Sequence, residues 1–222
     1  DLETVGLDFL VTPPSTASGI LCTRTTSKFL KEFGMHVAIN GDGFSYLDPA
    51  PPNICATGDP VIPNGYAVSR RKVYSLRKTA DPIIYFNQRN QVTINEEKGQ
   101  VVNAISGDRL IVDGGKVVKN LAAAMLHPRT ALGVNKIGRW LTLVVVDGRQ
   151  PGYSEGMTFP ELADQMLSFG AFTAVNMDGG SSSTMVIRGN NGESLLVNRP
   201  IELNTPGKQS PVANHLGIFV KN

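Results

Sequence analysis

The stretch Ala174-Val175-Asn176-Met177-Asp178-Gly179-Gly180-Ser181-Ser182-Ser183-Thr184-Met185 turns from an apolar run into polar side chains, then glycines, then hydroxyls. Asn176 and Asp178 stand two residues apart, so an extended backbone sends both side chains to one side. Gly179-Gly180 lets the main chain approach a ligand closely. Just upstream, Thr158 and Glu161 form a capping box and Pro160 suits a first helical turn. Leu162, Met166 and Phe169 then share one face before Gly170 ends the helix. That helix runs directly into the strand ending at Asn176. The same order occurs earlier in the chain. A shorter helix from Lys28 to Phe33, capped by Thr26 or Ser27 and closed by Gly34, feeds the strand that ends in Ala38-Ile39-Asn40-Gly41-Asp42-Gly43. Two such helix, strand and Asn-x-Asp-Gly units suggest two related halves and two walls of one polar site.

Around these units the apolar segments are short and strand-like: His36 to Asn40, Ile83 to Phe86, Gln100 to Ile105, Arg109 to Val112, Lys116 to Val118, Thr130 to Val134, Leu141 to Val146, Phe172 to Asn176, Thr184 to Arg188 and Leu216 to Val220. Strands dominate, with Asp113-Gly114-Gly115 reading as a hairpin turn. The expected architecture is α+β, a mixed and mostly antiparallel β-sheet core with a few flanking helices. No linker divides the 222 residues, which read as one domain.

Composition narrows the function. Charged residues make up 18% and the formal net charge is +2, so there is no basic stripe of the kind nucleic-acid binding requires. Ser69-Arg70-Arg71-Lys72 reads as a solvated turn or an edge-strand guard. No apolar run approaches the length of a membrane span. The chain begins at Asp1, which fits a processed secreted protein and equally a trimmed segment. Cys22 and Cys55 lie in a loop-rich region crowded with Pro, Asn and Gly. Sequence alone does not pair them, and they either close a loop in an oxidising compartment or stand as two free thiols.

The residues fit for chemistry lie at strand ends. Leu141 to Val146 ends in Asp147-Gly148-Arg149, an acid beside a cation. His127-Pro128-Arg129 precedes another strand with an imidazole and a second guanidinium. Asp42, Asp147 and Asp178 supply carboxylates, Asn40 and Asn176 amides, and Arg129, Arg149 and His127 anion-binding groups. Gly179, Gly180, Ser181, Ser182 and Thr184 add backbone N–H groups and hydroxyls. Arginines and a glycine-serine loop hold a phosphate, while two carboxylates serve as acid and as base or nucleophile at an anomeric carbon. The set suits a phosphate-linked sugar and requires no cofactor. Its oxygen donors are also the ligands that Ca2+ or Mg2+ prefer.

Five segments, Ala38 to Phe44, Pro128 to Gly133, Val146 to Arg149, Ala174 to Met185 and Pro211 to Leu216, resemble in order the signature segments of the phosphodiester glycosidase family. The resemblance runs from about His36 to the C-terminus and leaves an unmatched insert, residues 48–101. It implies a hydrolase that releases a sugar from a sugar-1-phosphodiester in a glycan or cell-wall polymer. On the family's motif positions stand Asn40, Asp42, Arg129, Asp147, Arg149, Asn176, Asp178, Gly179, Gly180, Ser182 and Thr184. There are two departures. Ser181 replaces a frequent third glycine, and Gln209-Ser210-Pro211-Val212 replaces a frequent Glu-Arg-Pro-Val. The substrate of the family's animal member is therefore not carried over, and a teichoic acid or other phosphate-linked polysaccharide is an equal target. The changes at Gln209-Ser210 also raise an alternative, a carbohydrate-binding domain without turnover.

Overall fold

The computed structural model describes residues 1–76 and 81–221. Strand alternation decides its layering. In the first unit Ile39 points into the central core while Ala38 packs under a helix; in the second, Val175 and Ala174 divide in the same way. Each small alanine lets its helix approach the sheet closely.

Three five-stranded sheets enclose the central core. The first orders its strands Leu7–Val11, His215–Val220, Val37–Asn40, Met185–Arg188 and Ser194–Leu196. The second runs Lys72–Ser75, Ala67–Ser69, Val101–Ser106, Ile83–Asn87 and Val92–Ile94. The third runs Lys116–Val117, Arg109–Asp113, Thr173–Asn176, Arg129–Val134 and Leu141–Val146. Neighbouring strands pair antiparallel, as in Leu216 opposite Ile39 and Leu132 opposite Val175. Phe9, Val11, Ile39 and Leu216 of the first sheet meet Ile84, Phe86 and Ile105 of the second and Leu132, Val175 and Met177 of the third. The segment unmatched by the resemblance thus builds most of the second sheet and part of the common core.

The two helices cover the outer faces. Helix α1, Thr26–Phe33, lays Phe29 and Leu30 on the first sheet, and helix α2, Phe159–Ser168, lays Leu162, Ala163 and Met166 on the third. The α1 cap is Thr25, one residue before the expected pair, because its extended backbone lets the hydroxyl accept from Lys28 N–H. Gly34 closes α1 at φ 66°. The Thr158–Glu161 capping box of α2 is present as read. Phe169, however, is the C-terminal cap and 55% exposed, because the helix has already ended and its ring no longer follows the buried face. The basic quartet is a tight turn between two paired strands, with Arg70 and Arg71 at φ 50° and 68°.

A smaller sheet of Leu21–Cys22, Pro60–Pro63 and Phe44–Tyr46 flanks this body. Cys22 and Cys55 are disulfide-bonded, with a Cα–Cα separation of 5.6 Å. The bridge spans 33 residues, so its loss should release loop entropy worth roughly 3–4 kcal/mol. Cys22→Ser with Cys55→Ser is expected to lower unfolding stability by that amount, read from the midpoint of a denaturant titration.

Candidate active site

The two Asn-x-Asp-Gly turns meet and bind each other. Asp178 N–H donates to Gly41 C=O at 3.1 Å, and Asn40 Nδ2 donates to Asp178 C=O at 2.7 Å. The Asn40 oxygen accepts from the Thr130 hydroxyl at 2.7 Å and from Thr184 N–H at 3.1 Å. Asn40 and Thr184 are fully buried in this junction. They are positioning residues, and neither lines the cleft that the turns create.

That cleft, about 610 Å³, is lined on one side by Asp42, Gly43 and Phe44 and on the other by Asn176, Asp178, Gly179, Gly180, Ser181 and Ser182. His127, Arg129 and Arg149 enter from the third sheet. A larger hollow, about 870 Å³, lies beside α1, but it holds no pair of carboxylates, and its one acid, Glu32, is ion-paired with Arg24 at 2.8 Å. The smaller cleft is where the chemistry gathers.

Each wall has a structural cause. Asp42 is 4% exposed; its backbone N–H donates to Asn214 Oδ1 at 2.8 Å and its carboxylate accepts from Gly65 N–H at 2.8 Å. Arg129, also buried, donates to Met157 C=O at 2.9 Å and Met125 C=O at 3.2 Å. Its guanidinium lies 3.9 Å from the ring centre of Phe159, the first residue of α2. Arg149 sits at φ 55° and donates to His127 Nδ1 at 3.4 Å. Opposite, Gly180 has φ 64°, and a Cβ there would stand 2.9 Å from the Arg149 guanidinium. Gly180→Ala should therefore displace Arg149 and strain the turn. The expected result is a fall of about tenfold in kcat/KM, carried by KM, which steady-state kinetics would detect.

Burial sets the electrostatics. Desolvation pushes the Asp42 carboxyl up to about 8, assisted by the nearby charges of Asp81 and Asp178 and opposed by the N–H groups of Gly65 and Gly43. Desolvation also raises Asp178, while the Ser182 hydroxyl and Gly179 N–H stabilise its charged form. His127 is lowered by burial and by Arg149 and Arg129, which favours neutral imidazole. The pocket thus combines two buried aspartates of raised pKa, an imidazole lowered in pKa and two guanidinium groups.

Asp147, like Asn40 expected among the catalytic residues, does not line the cleft. Its carboxylate accepts from Asn198 Nδ2 at 2.9 Å, from Arg199 N–H at 2.9 and 3.0 Å and from the Tyr153 hydroxyl at 2.9 Å. Those partners hold it outside the cleft, where it fixes the loop that presents Arg149. Conversely, Asp81, Asp108, Tyr46 and Asn64 line the cleft and were not singled out. Asp108 accepts from Asn176 Nδ2 at 3.2 Å because Arg109 pairs with Asn176 across the third sheet, a register no local pattern announces. Among the described residues, no three His, Cys, Asp or Glu side chains group as ligands for a metal ion.

The family model for phosphodiester glycosidase matches residues 29–219. The chain belongs to the phosphodiester glycosidase family. No curated protein matches the sequence significantly. Among solved structures, the fold is similar to the zebrafish N-acetylglucosamine-1-phosphodiester α-N-acetylglucosaminidase catalytic domain, auto-inhibited by its pro-peptide. The TM-score is 0.69 at 20% identity, over 96% of this chain and 73% of that one. It is also similar to a hypothetical protein from Synechocystis, with a TM-score of 0.72 at 14% identity over 99% and 58% of the two chains. A Burkholderia pseudomallei K96243 protein designated as exported gives 0.69 at 16% identity over 99% and 72%. In this phosphodiester glycosidase fold, the Gln209 departure falls away from the cleft. Gln209 accepts from Ser27 N–H at 3.0 Å and donates to its hydroxyl at 2.7 Å, tying down the start of α1.

Proposed function

We propose that the cleft hydrolyses the bond between an anomeric carbon and a phosphate in a sugar-1-phosphodiester. The observation that carries this reading is the convergence of Asp42 and Asp178 with Arg129 and Arg149 on one cleft. Arg129 and Arg149 bind the phosphate, whose charge grows as the anomeric C–O bond breaks. Asp42, protonated at neutral pH, gives its proton to the departing phosphate oxygen. Asp178 takes a proton from the water that forms the new C–O bond, or attacks the anomeric carbon directly before water releases the sugar. The free sugar and a phosphomonoester on the second alcohol are the products.

Gln209 is tethered to α1 and neither it nor Ser210 lines the cleft, which supports hydrolysis over a binding domain that lost turnover. The disulfide and the similarity to a Burkholderia protein designated as exported support an extracytoplasmic setting. Among the described residues, no helix is long and apolar enough to cross a membrane. The test is incubation with a panel of sugar-1-phosphodiesters while reducing sugar is measured. Release of sugar and phosphomonoester in equal amounts supports the reading, and absence of both across the panel refutes it.

A further inference from the structure

Arg149 belongs to two cavities. Besides the cleft, it borders a second hollow of about 460 Å³, with Tyr153, Arg199, Ile201 and Asn204 on its walls. No carboxylate lines that hollow. Among the described residues, neither Arg149 nor Arg199 is ion-paired. Asp147, behind this wall, is engaged by the Tyr153 hydroxyl and the Arg199 backbone N–H. The Arg199 guanidinium lies 5.2 Å from the Tyr153 ring centre, so the ring supports its position while leaving its N–H groups open. Gln150 Nε2 holds the Arg199 carbonyl at 2.8 Å and fixes the strap that carries it. Arg149 and Arg199 thus both border a hollow that no carboxylate lines, and Arg149 also lines the cleft.

We propose that this hollow is a subsite for a second phosphate, and that the preferred substrate is a glycan with successive sugar-phosphodiester links rather than a single one. The inference rests on the hydrolytic reading of the cleft. With the scissile phosphate between Arg129 and Arg149, the acceptor alcohol extends past Arg149, and the next phosphodiester of a repeating chain reaches Arg199. Tyr153, 57% exposed, offers an aromatic face to the intervening alcohol or sugar.

The experiment compares a synthetic compound carrying two successive sugar-1-phosphodiester links with the single-link compound of the same sugar, for the wild-type protein and for Arg199→Gln. The substitution keeps the backbone N–H that Asp147 requires. Wild type should cleave the two-link compound with a kcat/KM about fivefold to tenfold higher, an advantage residing in KM and shrinking as salt is raised. Arg199→Gln should abolish that advantage while moving the single-link rate by less than twofold. Equal rates for both compounds in the wild type, or an advantage that survives Arg199→Gln, would overturn the subsite and leave the hydrolytic reading standing. If neither compound is cleaved, the hydrolytic reading fails by itself, and calorimetric binding of the two-link compound then decides the subsite. Weakening by Arg199→Gln of at least about fivefold supports it, and unchanged affinity rejects it.

Discussion

Asp178→Asn is expected to lower kcat/KM for sugar-1-phosphodiester hydrolysis by about a thousandfold or more, with KM changed by no more than a few fold. The amide keeps the shape of the carboxylate and can still accept from Gly179 N–H, which lies 2.9 Å away. The junction beneath is untouched, because Asp178 joins it through its backbone N–H and C=O. What disappears is the negative charge and proton-accepting ability at the reacting carbon. A loss of that size corresponds to about 4 kcal/mol of transition-state stabilisation, the scale of a general base or nucleophile. Steady-state kinetics with a folding control by circular dichroism checks it. Turnover within tenfold of the wild type would remove Asp178 from the reaction.

Asp42→Asn should separate activity from stability. A carboxyl pushed up to about 8 holds a proton at neutral pH, and the proposed reaction uses that proton. Wild-type kcat/KM is expected to fall about tenfold per pH unit above that value. It should also fall at low pH, as Asp178 takes up a proton through its own raised pKa. Asp42→Asn cannot donate and should lose at least about a hundredfold in rate. The stability effect has the opposite sign. In the unfolded chain Asp42 ionises near 4, whereas in the folded chain it keeps its proton to about 8, so the folded state binds the extra proton between those values. Stability from this group is complete below about pH 4 and is lost as pH rises towards 8, at up to about 1.4 kcal/mol per pH unit. The asparagine variant is spared that loss. Chemical denaturation at pH 5 and pH 9 should find the variant's relative stability several kcal/mol more favourable at pH 9 than at pH 5; an equal difference at both would contradict a raised Asp42.

Much of the site was legible in the chain because its signals are local. Caps, glycine stops and the Asn-x-Asp spacing act over a few residues, and they marked both helix–strand units and the two aspartates that meet. Asp147 shows where local reading stops. An acid beside a cation at a strand end looks equally reactive whether its carboxylate faces a ligand or a loop. Only the return of Asn198 and Arg199 from far along the chain engages it. The short strands Ala67–Ser69 and Val92–Ile94 escaped notice because so few residues show no period, and they persist because neighbouring strands supply their hydrogen bonds. The cysteine pair was equally open until the fold brought both to one place.

By itself the sequence determined the two repeated units, the strand-dominated class and the acidic, amide, basic and hydroxyl residue types of the candidate site, since propensity, capping and motif spacing are properties of neighbours along a chain. The tertiary structure decided which of those residues share a cleft. It closed the two Asn-x-Asp-Gly turns onto each other, brought Asp108 beside Asn176, withdrew Asp147 and Asn40 into supporting roles and raised Asp42 by burial. Each of these depends on strand register and desolvation, which arise only when segments distant in sequence pack together.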